Sequence, residues 1–299
     1  MVAFIDDHKA TYGVESICRQ LPIAPSTFYE YKAREADPDR LPCRAKRDVD
    51  LCRDIQRVWK ENYRVYGARK IWRQLNRETI HVARCTVERL MKQLNLQGVV
   101  RGRRCKTTIS NVASDYPADL VNRKFTATRP NQLWVADFTY VATWSGFVYV
   151  AFVTDVFARR IVGWCVSHSM RTDLVLDALE QAIWSRKEAE GVIHHSDKGS
   201  QYLSIRYTDR LLEAGVEPSV GSTGDAYDNA LAETINGLFK TEVIRSRGPW
   251  KGLEDVEYAT LEWVDWFNNR RLLEPIGNVP PAEFEMNYYR QTKKSAMVA

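Results

Sequence analysis

Hydrophobic positions follow two different periods along this chain. Over residues 14–94, apolar side chains recur every three or four positions, which predicts short helices separated by turns. These helices are expected in VESICRQL, STFYEYKARE, VDLCRDIQRVWKENY, ARKIWRQLNRE and CTVERLMKQL. Ser26 is a suitable N-cap for the second of them. A helix, tight turn and helix occur twice, which is typical of DNA-reading units, although a plain helical bundle fits the first occurrence equally well.

From Leu133 onward the pattern becomes that of strands. LWVADFTYV, GFVYVAFVTDVFA and RRIVGWCVS are rich in Val, Phe, Tyr and Trp and are separated by short breaks, which predicts an antiparallel meander. Helices and short strands then alternate through TDLVLDALEQAIWSRK, VIHHS, IRYTDRLLEA, EPSV and GDAYDNALAETINGLFKTE. The predicted fold is therefore α/β, a mixed five-stranded sheet with flanking helices, preceded by all-α helix-turn-helix units.

At 299 residues the chain is long enough for more than one domain. The expected division is a helix-turn-helix unit in 1–40, a second in 41–100, a basic linker in 101–130, a catalytic core in 131–245 and a C-terminal helical extension in 246–299. We find no apolar run of about 18 residues and no signal peptide, so a soluble, cytoplasmic protein without membrane contact is expected. The six scattered cysteines are interpreted as reduced thiols.

Charge is distributed unevenly between the two halves. Residues 1–130 carry 26 Lys and Arg against 15 Asp and Glu, whereas residues 131–299 carry 17 against 23. A basic half favours a polyanion such as nucleic acid, and an acidic half suits a domain that binds cations. The candidate DNA contacts in the basic half are Arg84, Arg89, Lys92, Arg101, Arg103, Arg104 and Lys106. The last four belong to a segment that could equally be an exposed hinge.

The helix predicted near residue 230 carries a polar face. Asn229, Glu233, Asn236 and Lys240 recur at spacings of four, three and four, opposite the apolar stripe of Leu231, Ile235 and Leu238. Considered alone, Glu233 would be an ordinary surface group. Two further carboxylates could lie near it. Asp137 lies within an apolar strand, and Asp197 follows the strand VIHHS.

Asp137, Asp197 and Glu233 could meet at one end of the sheet. Converging carboxylates repel one another unless a cation lies between them. Hard oxygen ligands without a His/Cys cluster indicate Mg²⁺ or Mn²⁺, and two such ions can activate an attacking oxygen and stabilise a leaving oxygen of a phosphodiester. The sequence therefore predicts a two-metal site for phosphodiester chemistry, with Lys240, Asn236, Asn229 and His195 as candidate contacts to the bound DNA.

The order and spacing of these residues resemble a known family. Between Asp137 and Asp197 lie 59 residues, between Asp197 and Glu233 lie 35, and Lys240 is seven residues further on. With HHSDKGSQY, YDNALAETINGLFKTE and WFNNRRLLEPIGNVPPAEFE, the chain resembles the DDE transposases of the retroviral-integrase superfamily, most closely the OrfB-type product of the insertion sequence three family. The resemblance covers nearly the whole chain.

The resemblance implies an RNase H-like catalytic domain, metal-ligand roles for Asp137, Asp197 and Glu233, and a DNA contact for Lys240. It implies attack by water at the element's 3′ end and then by the freed 3′ hydroxyl on another strand, in a copy-out, paste-in pathway. Its partners would be double-stranded DNA, as terminal inverted repeats and target, and a second copy of the chain. Relatives are often made as a fusion with an upstream-frame product. The zinc-binding His/Cys bundle of retroviral relatives is absent here.

Two residues near the acids leave alternatives open. His195 could contact substrate or be a packing residue, and Asp155 is expected to be a strand-end carboxylate paired with Arg159 or Arg160 rather than a member of the site. Two other functions also fit the sequence. One is a structure-selective nuclease of the same fold, and the other is a DNA-binding regulator with an inactive catalytic domain.

Overall fold

The computed structural model describes residues 1–100, 120–121, 125–187, 189–220 and 229–298. Its helices are α1 (Val2–Tyr12), α2 (Val14–Gln20), α3 (Pro25–Ala36), α4 (Cys43–Glu61), α5 (Ala68–Arg77), α6 (Arg84–Gln93), α7 (Thr172–Arg186), α8 (Ile205–Glu213), α9 (Ala230–Phe239), α10 (Arg245–Arg247), α11 (Leu253–Asn269) and α12 (Pro281–Val298). Its strands are β1 (Leu133–Thr143), β2 (Gly146–Asp155), β3 (Arg160–Ser167), β4 (Ile193–Ser196) and β5 (Glu217–Val220). A π-helical segment, Lys240–Ile244, joins α9 to α10.

The strands form one mixed sheet in the order β3-β2-β1-β4-β5. The first three are antiparallel neighbours, whereas β4 pairs in parallel with both β1 and β5. The predicted meander and the helices and strands that follow it are thus confirmed. Pairing between β1 and β4 stops at Val135, but β1 continues along β2 as far as Thr143. In the part of the chain that the structure describes, the second half of β1 therefore has no strand on its β4 side.

Alternating side chains of the sheet enter two apolar layers. Trp134 and Ala136 pack with α7 and α8 on one face, while Val135 and Val141 face α9 and α11 on the other. This arrangement follows from the two-residue period of a strand. Asp137 has the same parity as Val135, so its position belongs to the face covered by α9.

The amino-terminal helices α1, α2 and α3 enclose a small apolar cluster of their own, formed by Ile5, Ile17, Cys18 and Phe28. The expected cap at Ser26 is wrong. Helix α3 begins one residue earlier, at Pro25, with Ala24 at the N-cap position. Proline fits the first helical position because its fixed φ is already helical and no N–H donor is required there. None of the described helices is long and apolar enough to cross a lipid bilayer.

Helices α4, α5 and α6 share one apolar core with strands β1, β2 and β3 and with helices α9 and α11. The Tyr66 hydroxyl accepts the Leu272 N–H at 2.7 Å, and Asn62 Oδ1 accepts the Trp266 indole N–H at 3.1 Å. At the exposed rim, Arg69 pairs with Glu274 at 2.8 Å. The helical unit is therefore docked on α11 and on the segment that follows it.

A buried ion pair joins that same segment to the end of α9. The Arg271 guanidinium contacts both Glu242 oxygens, with Nε at 3.1 Å from each, and the Trp263 indole donates to Glu242 Oε2 at 3.1 Å. Both charged side chains are only 5% exposed. Glu242 lies in the π-helical segment directly after α9, so this contact fixes the carboxyl end of the helix that carries Glu233 and Asn236.

We predict that Glu242→Gln lowers the free energy of unfolding by about 3 kcal/mol, because the charge of Arg271 would remain buried without a counter-charge. Urea unfolding followed by tryptophan fluorescence measures this change. Glu213→Gln, an exposed substitution on α8, serves as the control and should alter stability by less than about 0.5 kcal/mol. Equal small effects in both variants would show that the ion pair does not hold α9.

Candidate active site

The register of β1 and β4 brings two of the three predicted carboxylates to neighbouring positions. Val135 pairs with His195 in the parallel ladder, so two residues further along Asp137 lies across from Asp197, just beyond the last residue of β4. Adjacent strands are about 4.8 Å apart. Asp197 is exposed, and its Oδ1 accepts the N–H of Gly199 at 3.0 Å, which turns the chain away after the strand.

Helix α9 lies over this end of β1 and is held there by two amides. Asn229 Nδ2 donates to the Ala136 carbonyl at 2.8 Å, and Asn236 Nδ2 donates to Asp137 Oδ2 at 2.9 Å. Glu233 is one helical turn before Asn236 and partly exposed. The predicted polar face of this helix therefore faces β1, with its carboxylate within about one turn of the contact to Asp137.

Electrostatics connect all three acids. Burial of the Asp137 carboxylate raises its pKa to about 8; the charge of Asp197 acts in the same direction, and that of Glu233 does so more weakly. The amide of Asn236 and the N–H of Phe138 oppose this rise in pKa, because both donate to the ionised form. Asp137 keeps some solvent exposure although protein atoms crowd its carboxylate. Such mutual repulsion is expected where carboxylates share a site.

The oxygen ligands that Asp137 and Asp197 offer fit a hard divalent cation. Neither Asp137 nor Asp197 forms an ion pair with a Lys or Arg side chain in the described ranges. The Asn236 Oδ1 and Tyr202 Oη atoms, both buried, have no hydrogen-bond partner among the residues that the structure describes. Within the described residues, however, no three His, Cys, Asp or Glu side chains are grouped so that they could hold a metal ion together. Glu233 is within electrostatic reach of Asp137 without completing a three-ligand site.

Lys240 marks the other end of this helix face. Its Nζ lies over the Tyr140 ring, 4.7 Å from the ring centroid, at the unpaired side of β1. Burial lowers the pKa of Lys240, while the charge of Asp137 acts in the opposite direction. A cation thus lies beside the acids, as a DNA-contacting lysine would.

Three other predicted DNA contacts are buried instead. Asn229, Asn236 and His195 are 6%, 7% and 1% exposed. The two amides hold α9 on β1, as described above, and the His195 ring contacts the Ser219 hydroxyl at 2.9 Å. In this conformation these side chains position the site rather than present a surface to DNA, because the strand and helix that carry them pack together.

The candidate DNA contacts of the helical half lie on or near α6. Arg84 pairs with Glu88 at 3.0 Å, Arg89 pairs with Asp48 at 2.8 Å, and Lys92 is exposed. Exposed ion pairs contribute little to stability and exchange readily for phosphate contacts. Arg101, Arg103, Arg104 and Lys106 lie outside the described residues.

Asp155 is not part of the site, and its predicted pairing with Arg159 or Arg160 is wrong. It is fully buried, accepts the N–H groups of Asn131 and Phe157 at 2.8 and 2.9 Å, and faces Arg186 at 3.5 Å. The Arg186 side chain comes from α7, a distant element that local spacing could not indicate.

Two residues that sequence reasoning missed support the site. Tyr202, in the predicted stretch HHSDKGSQY, is buried behind the acids, and burial raises its pKa, with the charge of Asp137 acting in the same direction. Glu242 anchors α9 through Arg271, as described above. An acidic residue two positions after Lys240, followed by a valine and an isoleucine, was the available signal for Glu242.

We predict that Asp137→Asn, in EDTA at about pH 9, leaves the protein as stable as the wild type or more stable by on the order of 1 kcal/mol, because above its pKa of about 8 the Asp137 carboxylate is one of two repelling charges. The Asn236 amide can rotate to accept from the new side chain. Thermal unfolding measures the effect. Adding Mg²⁺ should raise the melting temperature of the wild type by mass action and leave that of Asp137→Asn unchanged.

The control for this experiment is Asp50→Asn, an exposed aspartate on α4, which should respond to Mg²⁺ as the wild type does. If Mg²⁺ stabilised Asp137→Asn as much as the wild type, the binding of the ion would not involve this carboxylate.

Comparisons with known proteins agree with this architecture. A family model described as an integrase core domain matches residues 127–226, a second model with the same description matches 214–281, and an HTH-like domain model matches 46–104. The HTH-like match confirms the second predicted helix-turn-helix unit. Among solved structures, the HTLV-2 integrase catalytic core domain in complex with magnesium is similar over 53% of this chain and 98% of that chain, at 16% identity and a TM-score of 0.42; a likeness of this size adds nothing to the fold already described.

Curated relatives are much closer in sequence. The transposase for insertion sequence element IS629 of Shigella sonnei is 59% identical over 97% of both chains. The putative transposase for IS986/IS6110 of Mycobacterium tuberculosis is 58% identical over 92% of this chain and 99% of the relative. Together with the integrase core, these similarities indicate an enzyme of the polynucleotidyl transferase type. The chain belongs to the family of insertion-sequence transposases, in the retroviral-integrase superfamily.

Proposed function

We propose that this protein binds the terminal inverted repeats of an insertion sequence and catalyses metal-dependent cleavage and transfer of DNA strands at those ends. The observation that supports this most strongly is the proximity of Asp137, within β1, to Asp197, just after the parallel strand β4, beneath the helix that carries Glu233. A pair of unneutralised carboxylates is costly in a protein that only binds DNA, where the ligand is itself an anion.

Each residue has a distinct role in the proposed site. Asp137, Asp197 and Glu233 would hold two Mg²⁺ or Mn²⁺ ions, which supply a Lewis acid for the phosphodiester when bound. Asn236 fixes the orientation of the Asp137 carboxylate through its hydrogen bond, and Lys240 contacts a phosphate of the bound strand. No serine or tyrosine nucleophile is required, because water and then a DNA hydroxyl attack phosphorus directly.

The proposed reaction has two steps of the same kind. Water attacks the phosphorus at the element's end, and the bond to the 3′ oxygen breaks, which leaves a free 3′ hydroxyl. That hydroxyl then attacks a phosphodiester of another strand and displaces its 3′ oxygen, so the number of phosphodiester bonds is conserved. A copy-out, paste-in pathway, in which one end is first joined to the other, would use the same chemistry twice.

The amino-terminal helices would recognise the DNA sequence, and an assembly of two or more copies of the chain would bring two element ends together. Helices α4, α5 and α6 belong to the HTH-like region, and α6 carries Arg84, Arg89 and Lys92 on its exposed side. Docking of this unit on α11 gives it a defined position relative to the acids. Bringing two ends together requires at least two copies of the chain on DNA.

We predict that Asp197→Asn and Glu233→Gln each reduce strand transfer by at least about a hundredfold, the size of effect seen when a group that stabilises transition-state charge is removed. The assay uses a labelled duplex with the terminal inverted repeat of the element that encodes this chain, together with target DNA and Mg²⁺. Activity close to that of the wild type in either variant would remove that residue from the site.

Asp173→Asn is the matched control, an aspartate on α7 whose side chain is 62% exposed, and it should retain wild-type transfer. The same gel separates the alternatives. A structure-selective nuclease would cut without joining strands and would ignore the end sequence, and a DNA-binding regulator would bind the duplex without cutting it.

A further inference from the structure

Three large aromatic side chains are exposed on the β1–β2 hairpin. Tyr140, Trp144 and Phe147 are 57%, 72% and 56% exposed, and we call this group the aromatic edge. Tyr140 and Phe147 are diagonal neighbours on one face of the β1–β2 hairpin, with ring centroids 5.5 Å apart in an edge-to-face arrangement. Contiguous exposed apolar groups in a folded chain mark a binding surface more often than isolated ones do.

The exposure of Trp144 does not come from a loose turn. Its N–H donates to the Trp250 carbonyl at 3.0 Å, and the next N–H, from Ser145, donates to the Lys251 carbonyl at 3.2 Å. The Trp250 indole in turn donates to the Ile244 carbonyl, at the end of the π-helical segment that begins with Lys240. The hairpin tip is therefore tied to the same segment that ends the active-site helix.

The aromatic edge adjoins the candidate active site. Tyr140 is three residues after Asp137 on β1, about 10 Å along the strand and of opposite parity, and Lys240 connects the two, because its ammonium lies over the Tyr140 ring and is attracted by the Asp137 charge. The Lys240 ammonium lies 4.7 Å from the centre of the Tyr140 ring, and no described carboxylate pairs with it. Beyond Val135, β1 has no described strand on its β4 side. A DNA strand that extends from the acids past Lys240 would meet the exposed Tyr140 ring and then the aromatic side chains at the hairpin tip.

That combination fits unpaired nucleotides. Bases stack on aromatic side chains through their π-faces, and the neighbouring phosphate is attracted to a cation. Bases inside a duplex are already stacked and cannot do so. A protein surface could cover the aromatic rings, but the charge of Lys240 favours an anionic ligand.

We propose that the aromatic edge binds one or two unpaired nucleotides of the DNA strand next to the reacting phosphodiester, with bases on Tyr140, Trp144 and Phe147 and a phosphate on Lys240. This inference rests on the proposed function, which supplies DNA as the substrate. It assigns the transposase a preference for ends whose terminal bases are unpaired.

The test compares two labelled DNAs by fluorescence anisotropy at one salt concentration: a blunt duplex, and the same duplex with a short 3′ overhang of thymidines. The wild-type chain should bind the overhang duplex more tightly. Trp144→Ala should weaken overhang binding by about fivefold to about 150-fold, the range that alanine substitution of a stacking residue gives per base, and leave blunt-duplex binding unchanged. Unchanged blunt binding also reports that the variant is folded.

Two further variants separate stacking from simple burial. Trp144→Tyr keeps a ring that can stack and should retain most of the overhang affinity, whereas Trp144→Leu should behave as Trp144→Ala does. Trp184→Ala removes an equally exposed tryptophan on α7, 84% exposed, and should bind both DNAs as the wild type does.

Any of the following outcomes would overturn the proposal. If the wild type binds the blunt duplex but gains nothing from the overhang, or if Trp144→Ala loses nothing, the aromatic edge does not bind nucleotides and the proposed function is untouched. If the wild type binds neither DNA, both proposals fail. If Trp144→Ala changes the oligomeric state in sedimentation without changing overhang affinity, the edge is a contact between copies of the chain.

Discussion

The proximity of two carboxyl groups, one within β1 and one just after β4, is the constraint on which the candidate site depends. The β1–β4 register places Asp137 across from Asp197, and no described cationic side chain pairs with either. A fold selected only for stability would place a lysine or arginine between them or replace one with an amide, because removing a mutual repulsion is simpler than sustaining it. Their persistence is understandable if a cation and an anionic substrate complete the site.

Several contacts outside the acids serve to maintain this arrangement. Asn229 and Asn236 hold α9 on β1 at its amino end and middle, and the Glu242–Arg271 ion pair holds the segment that follows. Arg271 is next to Leu272, whose N–H is bound by Tyr66 of the HTH-like region. The HTH-like region and the segment after α9 are thus both attached to the short segment that follows α11.

The local pattern of the sequence was sufficient for most of the secondary structure, and it singled out the three candidate acids. Alternating apolar residues in LWVADFTYV and the helical period around Leu231 are properties of a few neighbouring residues, and the structure has these elements. The sequence did not show which residues from distant elements would become hydrogen-bond or ion-pair partners. Asp155 pairs with Arg186 of α7, and the Asn236 amide donates to Asp137. Both contacts depend on the tertiary packing, which determines which polar groups are buried together. A period identifies a polar face, and only packing tells whether that face meets solvent or another element.

The central claim is that Asp137, Asp197 and Glu233 hold divalent cations, and anomalous diffraction from crystals of the protein with Mn²⁺ and an element-end duplex tests it most directly. The account predicts anomalous peaks bridged by Asp137 and Asp197, with a Glu233 oxygen within about 2.0–2.5 Å of a metal position. Manganese bound elsewhere on the chain, with these three carboxylates uncoordinated at saturating Mn²⁺, would contradict it.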